Sequence, residues 1–338
     1  YTTINKSSDY FNTKLYTGNG SNGHAITGVG FQPDFVWIKD RDTATNHMVT
    51  DAVRGATKTL HTQNTDVEST AVNALSSFNT DGFTVNTDTD LNANNKKNVA
   101  WNWKANGAGS ANTEGSVSAT VSANTTAGFS IVQYNTAGSG TQTMGHGLDS
   151  APTFIITKPT QNSESWYVYI PTGVSSSLRL NTTAAAVSST PYAGTPTDTL
   201  FSINNGVIGG YTGVISYCFT DVKGYSKFGS YTGNGNADGP FVYTGFKPAF
   251  VMVKESSSTG SWCIFDNKRL GYNPNNPRLY PNNTNAEDAS ETIFDIVSNG
   301  FKIRGDQSDT NASGQTYIYA AFAEAPLVGT NNVPCTAR

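Results

Sequence analysis

The chain has 338 residues, a formal net charge of −4, and only 14% charged residues. Globular domains average about 25%, so the surface must be built largely from Asn, Thr, Ser and Gly, and no basic stripe exists to neutralise nucleic-acid phosphates. Aromatic residues at 11% exclude a disordered composition, no run approaches the about 18 apolar residues of a membrane span, and Tyr1 opens a polar stretch without a signal-peptide pattern.

Short β-branched or aromatic runs bounded by Gly, Asn, Pro or Ser dominate the chain and predict strands. In chain order they are Phe35-Val36-Trp37-Ile38, Phe154-Ile155-Ile156, Trp166-Tyr167-Val168-Tyr169, residues 214–219, Phe250-Val251-Met252-Val253 and residues 317–322. Helical periodicity is scarce; the best candidates are Asp66 to Leu75 and Asn285 to Ile296, the latter after a cap at Asn282-Asn283-Thr284. The strands at Phe35 and Phe250 are apolar on both faces. One face should pack within a sandwich, and the other should be covered by a loop, a helix or a neighbouring subunit; with the low surface charge, such strands should make the chain associate with copies of itself.

One phrase is written three times. Tyr16-Thr17-Gly18-Asn19-Gly20 returns as Tyr231-Thr232-Gly233-Asn234-Gly235, and Gly30-Phe31-Gln32-Pro33-Asp34-Phe35 returns as Gly245-Phe246-Lys247-Pro248-Ala249-Phe250 at the same separation. A worn middle copy keeps Pro152, Phe154 and Lys158, and Ser165-Trp166 matches Ser261-Trp262 and Asn46-His47. Such repetition implies tandem small domains, each with its own core. The expected fold is all-β, with tandem β-sandwich repeats of jelly-roll or concanavalin-like type. Residues 11–104, 128–220 and 227–326 form the repeats. They are flanked by an N-terminal arm (1–10) and a C-terminal arm (327–338), and a Gly/Ser/Ala/Asn-rich flexible linker (105–127) leaves the first repeat free to swing or dock separately.

Candidate chemistry is sparse. Asp51 and Arg54 match Asp266 and Arg269 after the central strands, either as loop-pinning pairs or as a polar edge for sugar hydroxyls. Trp262, matching Trp166 and His47, reads as core or, if exposed, as a stacking platform for a pyranose. These five residues, Asp51, Arg54, Trp262, Asp266 and Arg269, are the candidate ligand-binding set. Glu287-Asp288-Ala289-Ser290-Glu291 is the densest acidic cluster, echoed in the first repeat only by Glu68, and reads as a solvated helix face rather than a pair of glycosidase carboxylates. Asp88-Thr89-Asp90-Leu91-Asn92 starts like a calcium loop, but Ala93 stands where such a loop needs Gly and Val99 where it needs Glu, so it reads as a hairpin turn. The four histidines are not spaced for zinc, and Cys218, Cys263 and Cys335 share no spacing and read as free thiols. No catalytic residue, metal or cofactor is expected.

The phrases at Phe11–Gly20, at Gly30–Lys39, Asp51-Ala52-Val53-Arg54-Gly55-Ala56, Gly224-Tyr225-Ser226-Lys227-Phe228-Gly229 and Thr316-Tyr317-Ile318-Tyr319-Ala320-Ala321 resemble those of a family of virion proteins from marine tailed phages. The resemblance spans nearly the whole chain. Its domains are generally of unknown function, or labelled tail-fibre or concanavalin-A-like lectin domains. The resemblance implies a non-enzymatic virion protein on the outer surface of the particle, in a fibre or appendage that attaches to host-surface glycans. A capsid or tail decoration protein is the alternative, and a polysaccharide-degrading enzyme a third reading. The implied partners are further copies of the chain, a trimer in the case of a fibre, together with other virion proteins and host glycans; neither nucleic acid nor membrane insertion is expected.

Overall fold

The computed structural model describes residues 2–170, 176–269, 273 and 277–327. The first group of strands comprises β1 (Phe11–Thr17), β2 (His24–Thr27), β3 (Phe35–Asp40), β4 (Met48–Asp51), β5 (Lys58–His61), β6 (Ser69–Thr70), β7 (Leu75–Asn79), β8 (Gly82–Val85) and β9 (Lys97–Trp103), with the one-turn helix α1 (Thr89–Asn92) before β9. The second comprises β10 (Ser110–Asn112), β11 (Ala119–Asn124), β12 (Phe129–Tyr134), β13 (Thr141–Gly145), β14 (Phe154–Pro159), β15 (Tyr167–Tyr169), β16 (Leu178–Arg179), β17 (Leu200–Asn204), helix α2 (Asn205–Ile208) and β18 (Val214–Phe219). The third comprises β19 (Ser226–Thr232), β20 (Phe241–Tyr243), β21 (Phe246–Glu255), β22 (Cys263–Asp266), β23 (Phe294–Val297), β24 (Gly300–Ile303), helix α3 (Ser308–Asn311) and β25 (Thr316–Pro326).

Each group builds one large antiparallel sheet around the same order of four strands: β1-β9-β3-β4, β12-β18-β14-β15 and β19-β25-β21-β22. The registers agree, because Phe35 faces Trp103, Phe154 faces Phe219 and Phe250 faces Phe322. Pro33 and Pro248 each stand two residues before the matching Phe. A smaller sheet covers one face of each large one: β2-β8-β7, β13-β17 and β20-β24-β23. The fold is therefore all-β and built of packed sheets.

Alternation along the central strands explains why both faces are apolar. Val36 and Ile38 join Phe83 and Val85 in a core private to the first lobe. Phe35 and Trp37 point the other way, into a cluster to which all three lobes contribute. The doubly apolar strands are thus covered within the chain, which removes the premise from which self-association was expected. In the shared cluster the Phe35 ring lies 4.3 Å from that of Tyr217, Phe11 stacks on Phe322 at 5.4 Å, and Phe154 stacks on Phe228 at 5.2 Å. Phe35, Phe154 and Phe250 surround a residual cavity of about 20 Å³, room for about one water.

Four expectations give way. Residues 105–127 are not a free linker: β10 and β11 add to the edge of β12, and the Ala105 N–H bonds the Asp34 carboxylate at 2.7 Å. Small side chains concealed the alternation there, in which Ala119 and Val121 are buried. The N-terminal arm is anchored by Ile4, buried in the shared core, while of the C-terminal arm only Leu327 lies within the described residues. Neither long helix exists; Asp66–Leu75 is loop followed by β6 and the start of β7, and Asn285–Ile296 is loop leading into β23. The turn at Asp88 is the helix α1, whose first N–H groups are met when Asp88 accepts from Asp90 N.

The repeated Tyr-Thr-Gly-Asn-Gly phrase has a structural purpose. Tyr16 donates its hydroxyl to Leu91 O and Tyr231 to Thr310 O, both at 2.7 Å. Asn92 and Asn311 then clasp the loop, each accepting from the backbone N–H of Asn19 or Asn234 at 2.9 Å. A Cβ on Gly18 would fall 2.2 Å from Ala93 O, and one on Gly233 2.3 Å from Ala312 O, so only glycine lets the loop approach the helix end.

Candidate functional site

The candidate residues gather at the seams between lobes. Asp51 ends β4 and binds Arg54 Nε at 2.6 Å; the same oxygen accepts the hydroxyl of Tyr217, from the second lobe, at 2.7 Å. Asp266 ends β22 and binds Arg269 Nε at 2.6 Å; the same oxygen accepts the indole N–H of Trp101, from the first lobe, at 3.0 Å. Arg54 reaches on to Glu68 at 3.2 Å and Arg269 to Glu287 at 3.1 Å. Both ion pairs are almost wholly closed to solvent, with side-chain exposure of 0–1%. Burial pushes the Asp266 carboxyl upward, but Arg269 and the Trp101 indole outweigh it and hold the group below the usual carboxylate range.

Tyr217 and Trp101 occupy equivalent places, facing Ile156 and Trp37 across their sheets, and the third such place, opposite Met252, is Ala320. Its counterpart at the Asp51 position is Ile170, the residue after β15, and both are buried in the shared core. A carboxylate therefore appears only at the two seams where the neighbouring lobe supplies a donor. That is what the cost of an unpaired buried charge demands.

Trp262 is fully buried and cannot stack on a sugar. It donates its indole N–H to Arg179 O of the second lobe at 2.9 Å, and Trp166 donates to His61 O of the first lobe at 2.8 Å. His47 completes the set: it accepts from Trp37 Nε1 at 3.0 Å and interacts with the Tyr280 backbone of the third lobe. Burial, reinforced by Lys39 and Arg269, pushes its pKa well below normal and keeps the ring neutral. The five candidate residues thus lie at closed seams, where as placed they join lobes rather than offer an open edge.

Sequence reasoning missed the donors Tyr217 and Trp101, and it set aside Glu287, which pairs with Arg269 and also takes both Nε and Nη2 of Arg41 at 2.8 Å. The echo between Glu68 and Glu287 was the available signal. Also missed were Lys39, Lys158 and Lys254, the lysine kept in all three copies. Each is fully buried. Burial lowers each to about 8, and each ammonium donates to loop carbonyls, Lys158 reaching Thr65 O of the first lobe and Lys254 reaching Thr183 O of the second at 3.2 Å.

What remains open lies elsewhere. Among the described residues no group of three His, Cys, Asp or Glu could hold a metal ion; Asp88 caps α1, and Asp90 accepts from Asn46 at 2.7 Å. Asp288 and Glu291 of the acidic cluster are tied to Arg278 at 2.7 and 2.9 Å. Cys218 and Cys263 are free and buried, and Cys335 lies outside the described residues. An open groove of about 420 Å³ lies between the 221–227 turn and the end of β20, lined by Asp221, Lys223, Ser226, Lys227, Tyr243 and Thr244. Among the described residues no helix is long and apolar enough to cross a membrane.

No curated protein and no solved structure matches the chain. A family model described as Domain of unknown function (DUF7483) matches residues 6–326, which takes in all three lobes, and the chain belongs to that family.

Proposed function

We propose that this chain is a non-catalytic structural protein of a tailed-phage particle, displayed on its outer surface in a fibre or appendage that attaches to host-surface glycans. The observation that carries the reading is where the phage-like phrases go. Tyr16 to Gly20, Asp51 with Arg54, and their later copies close loops and seams, so they maintain a rigid three-lobed body. Recognition then falls to the exposed Asn, Thr and Ser surface and to open grooves, as suits weak, multivalent attachment. The pairing of Glu287, Asp288 and Glu291 with arginines favours this over a polysaccharide-degrading enzyme, because neutralised carboxylates are poorly placed to act as acid and base. The closed ring of lobes also suits a decoration protein whose role is mechanical.

Labelling of particles with an antibody against the third lobe, read by electron microscopy, separates these readings. Label on fibres, together with inhibition of host adsorption by excess purified chain, is the expected result. Label on the capsid without inhibition selects the decoration protein, and no label on particles overturns both.

A further inference from the structure

Resting on that attachment reading, we infer that the groove between the 221–227 turn and β20 is a binding site for an acidic saccharide. Tyr243 is the most exposed aromatic ring among the large hydrophobic residues of the described chain, at 56%. Its hydroxyl end leans over Gly245, where an added Cβ would meet it at 3.6–3.8 Å, an ordinary contact distance. A solvent-facing tyrosine ring offers a pyranose an apolar stacking surface with a polar tip.

The charges around it choose the sugar. Lys227 lies 3.9 Å from Asp221, both side chains 41% exposed. Asp221 spends its other oxygen on Phe228 N at 2.9 Å and Thr153 Oγ1 at 3.3 Å. Lys223 forms no ion pair with any described residue. The hydroxyl groups of Ser226 and Thr244 are engaged with Thr220 O and Phe246 O, leaving Lys223, Lys227, one oxygen of Asp221 and the Tyr243 hydroxyl to meet a ligand. Two ammonium groups against one carboxylate make this a locally positive groove on a chain of net charge −4. A saccharide bearing a carboxylate or sulfate fits: the anion pairs with Lys223 and Lys227, a hydroxyl donates to Asp221, and the ring stacks on Tyr243. Its volume, about 420 Å³, falls in the range of small-ligand sites. Beside the inward residues Ile26 and Met144, which match Val242, the first and second lobes carry Ala25 and Thr27, and Thr143 and Gly145, so this aromatic site belongs to the third lobe alone.

The test is calorimetric titration of the full chain with oligogalacturonate, a sulfated dextran oligosaccharide and neutral maltohexaose. Expected is binding of one or both anionic probes, about tenfold weaker in Tyr243→Ala and in the double variant Lys223→Gln/Lys227→Gln, with thermal stability unchanged. Which anionic probe binds tells carboxylate from sulfate. Affinity for maltohexaose equal to that for the anions, anionic binding untouched by both variants, or no binding of any probe overturns the site. Those outcomes leave the particle-labelling result intact, so this inference and the attachment reading fail separately.

Discussion

Removing one oxygen tests whether the three lobes behave as one body. Tyr217→Phe deletes the hydroxyl that donates to Asp51 Oδ2 at 2.7 Å and leaves the ring that packs on Phe35 at 4.3 Å. A hydrogen bond to a buried charged acceptor is worth about 1.5–3 kcal/mol. Unfolding entropy near about 2.1 cal/mol/K per residue, over 338 residues, gives about 0.7 kcal/mol/K. The midpoint should therefore fall by about 2–4 °C. Because Tyr217 belongs to the second lobe and Asp51 to the first, and because the aromatic core is common, scanning calorimetry should show one transition that moves as a whole. Tyr243→Phe, at an exposed site, serves as the control and should not move it. Two or more resolved transitions, only one of them shifted, would refute the reasoning, as would a shift below about 0.5 °C, which would leave the seam bond no larger than a surface effect.

Gly233→Ala should cost about 1–3 kcal/mol, since the new methyl would meet Ala312 O at 2.3 Å; chemical denaturation measures it. In a Cys335→Ser background, Cys218 and Cys263 should resist a thiol reagent until the protein unfolds, because both are fully buried and burial raises their thiols far above the normal range; rapid native labelling would contradict the packing. Asp266 has a folded pKa below its unfolded value, so its contribution is present above about pH 3.8 and disappears as pH falls through the depressed folded value. Between pH 5 and pH 2, on this arithmetic, Asp266→Asn should lose less stability than the parent chain, by urea titration at each pH.

The sequence disclosed the sheets because aromatic and β-branched runs such as Phe35 to Ile38 cannot be solvated on either side, and it disclosed their threefold recurrence through Pro33, Pro152 and Pro248. It concealed how the lobes meet. Asp51 and Arg54 are three residues apart and visible as a pair, whereas Tyr217 is separated from Asp51 by 166 positions and looks like any other strand tyrosine. The linker was misjudged because Ala119, Val121 and Ser122 are small, so burial left little trace in hydrophobicity. The groove at Tyr243 was invisible for the opposite reason. Phe241, Val242 and Tyr243 read as a uniformly apolar strand, and only the register with β24 reveals that Val242 turns inward while its neighbours face water.

A homotrimer closes its ring by repeating one contact three times, and any copy can take any place. Here the three joints differ in kind: tyrosine to aspartate, tryptophan to aspartate, and, at the equivalent positions of the third, an isoleucine and an alanine buried in the shared core. Were the lobes to close in the wrong order, or to borrow a lobe from another chain out of turn, an aspartate would be buried against Ala320, which has nothing to donate. Two carboxylates thus act as keys that allow only one cyclic arrangement, a form of proofreading open to a single chain whose lobes have diverged and closed to a ring of identical subunits.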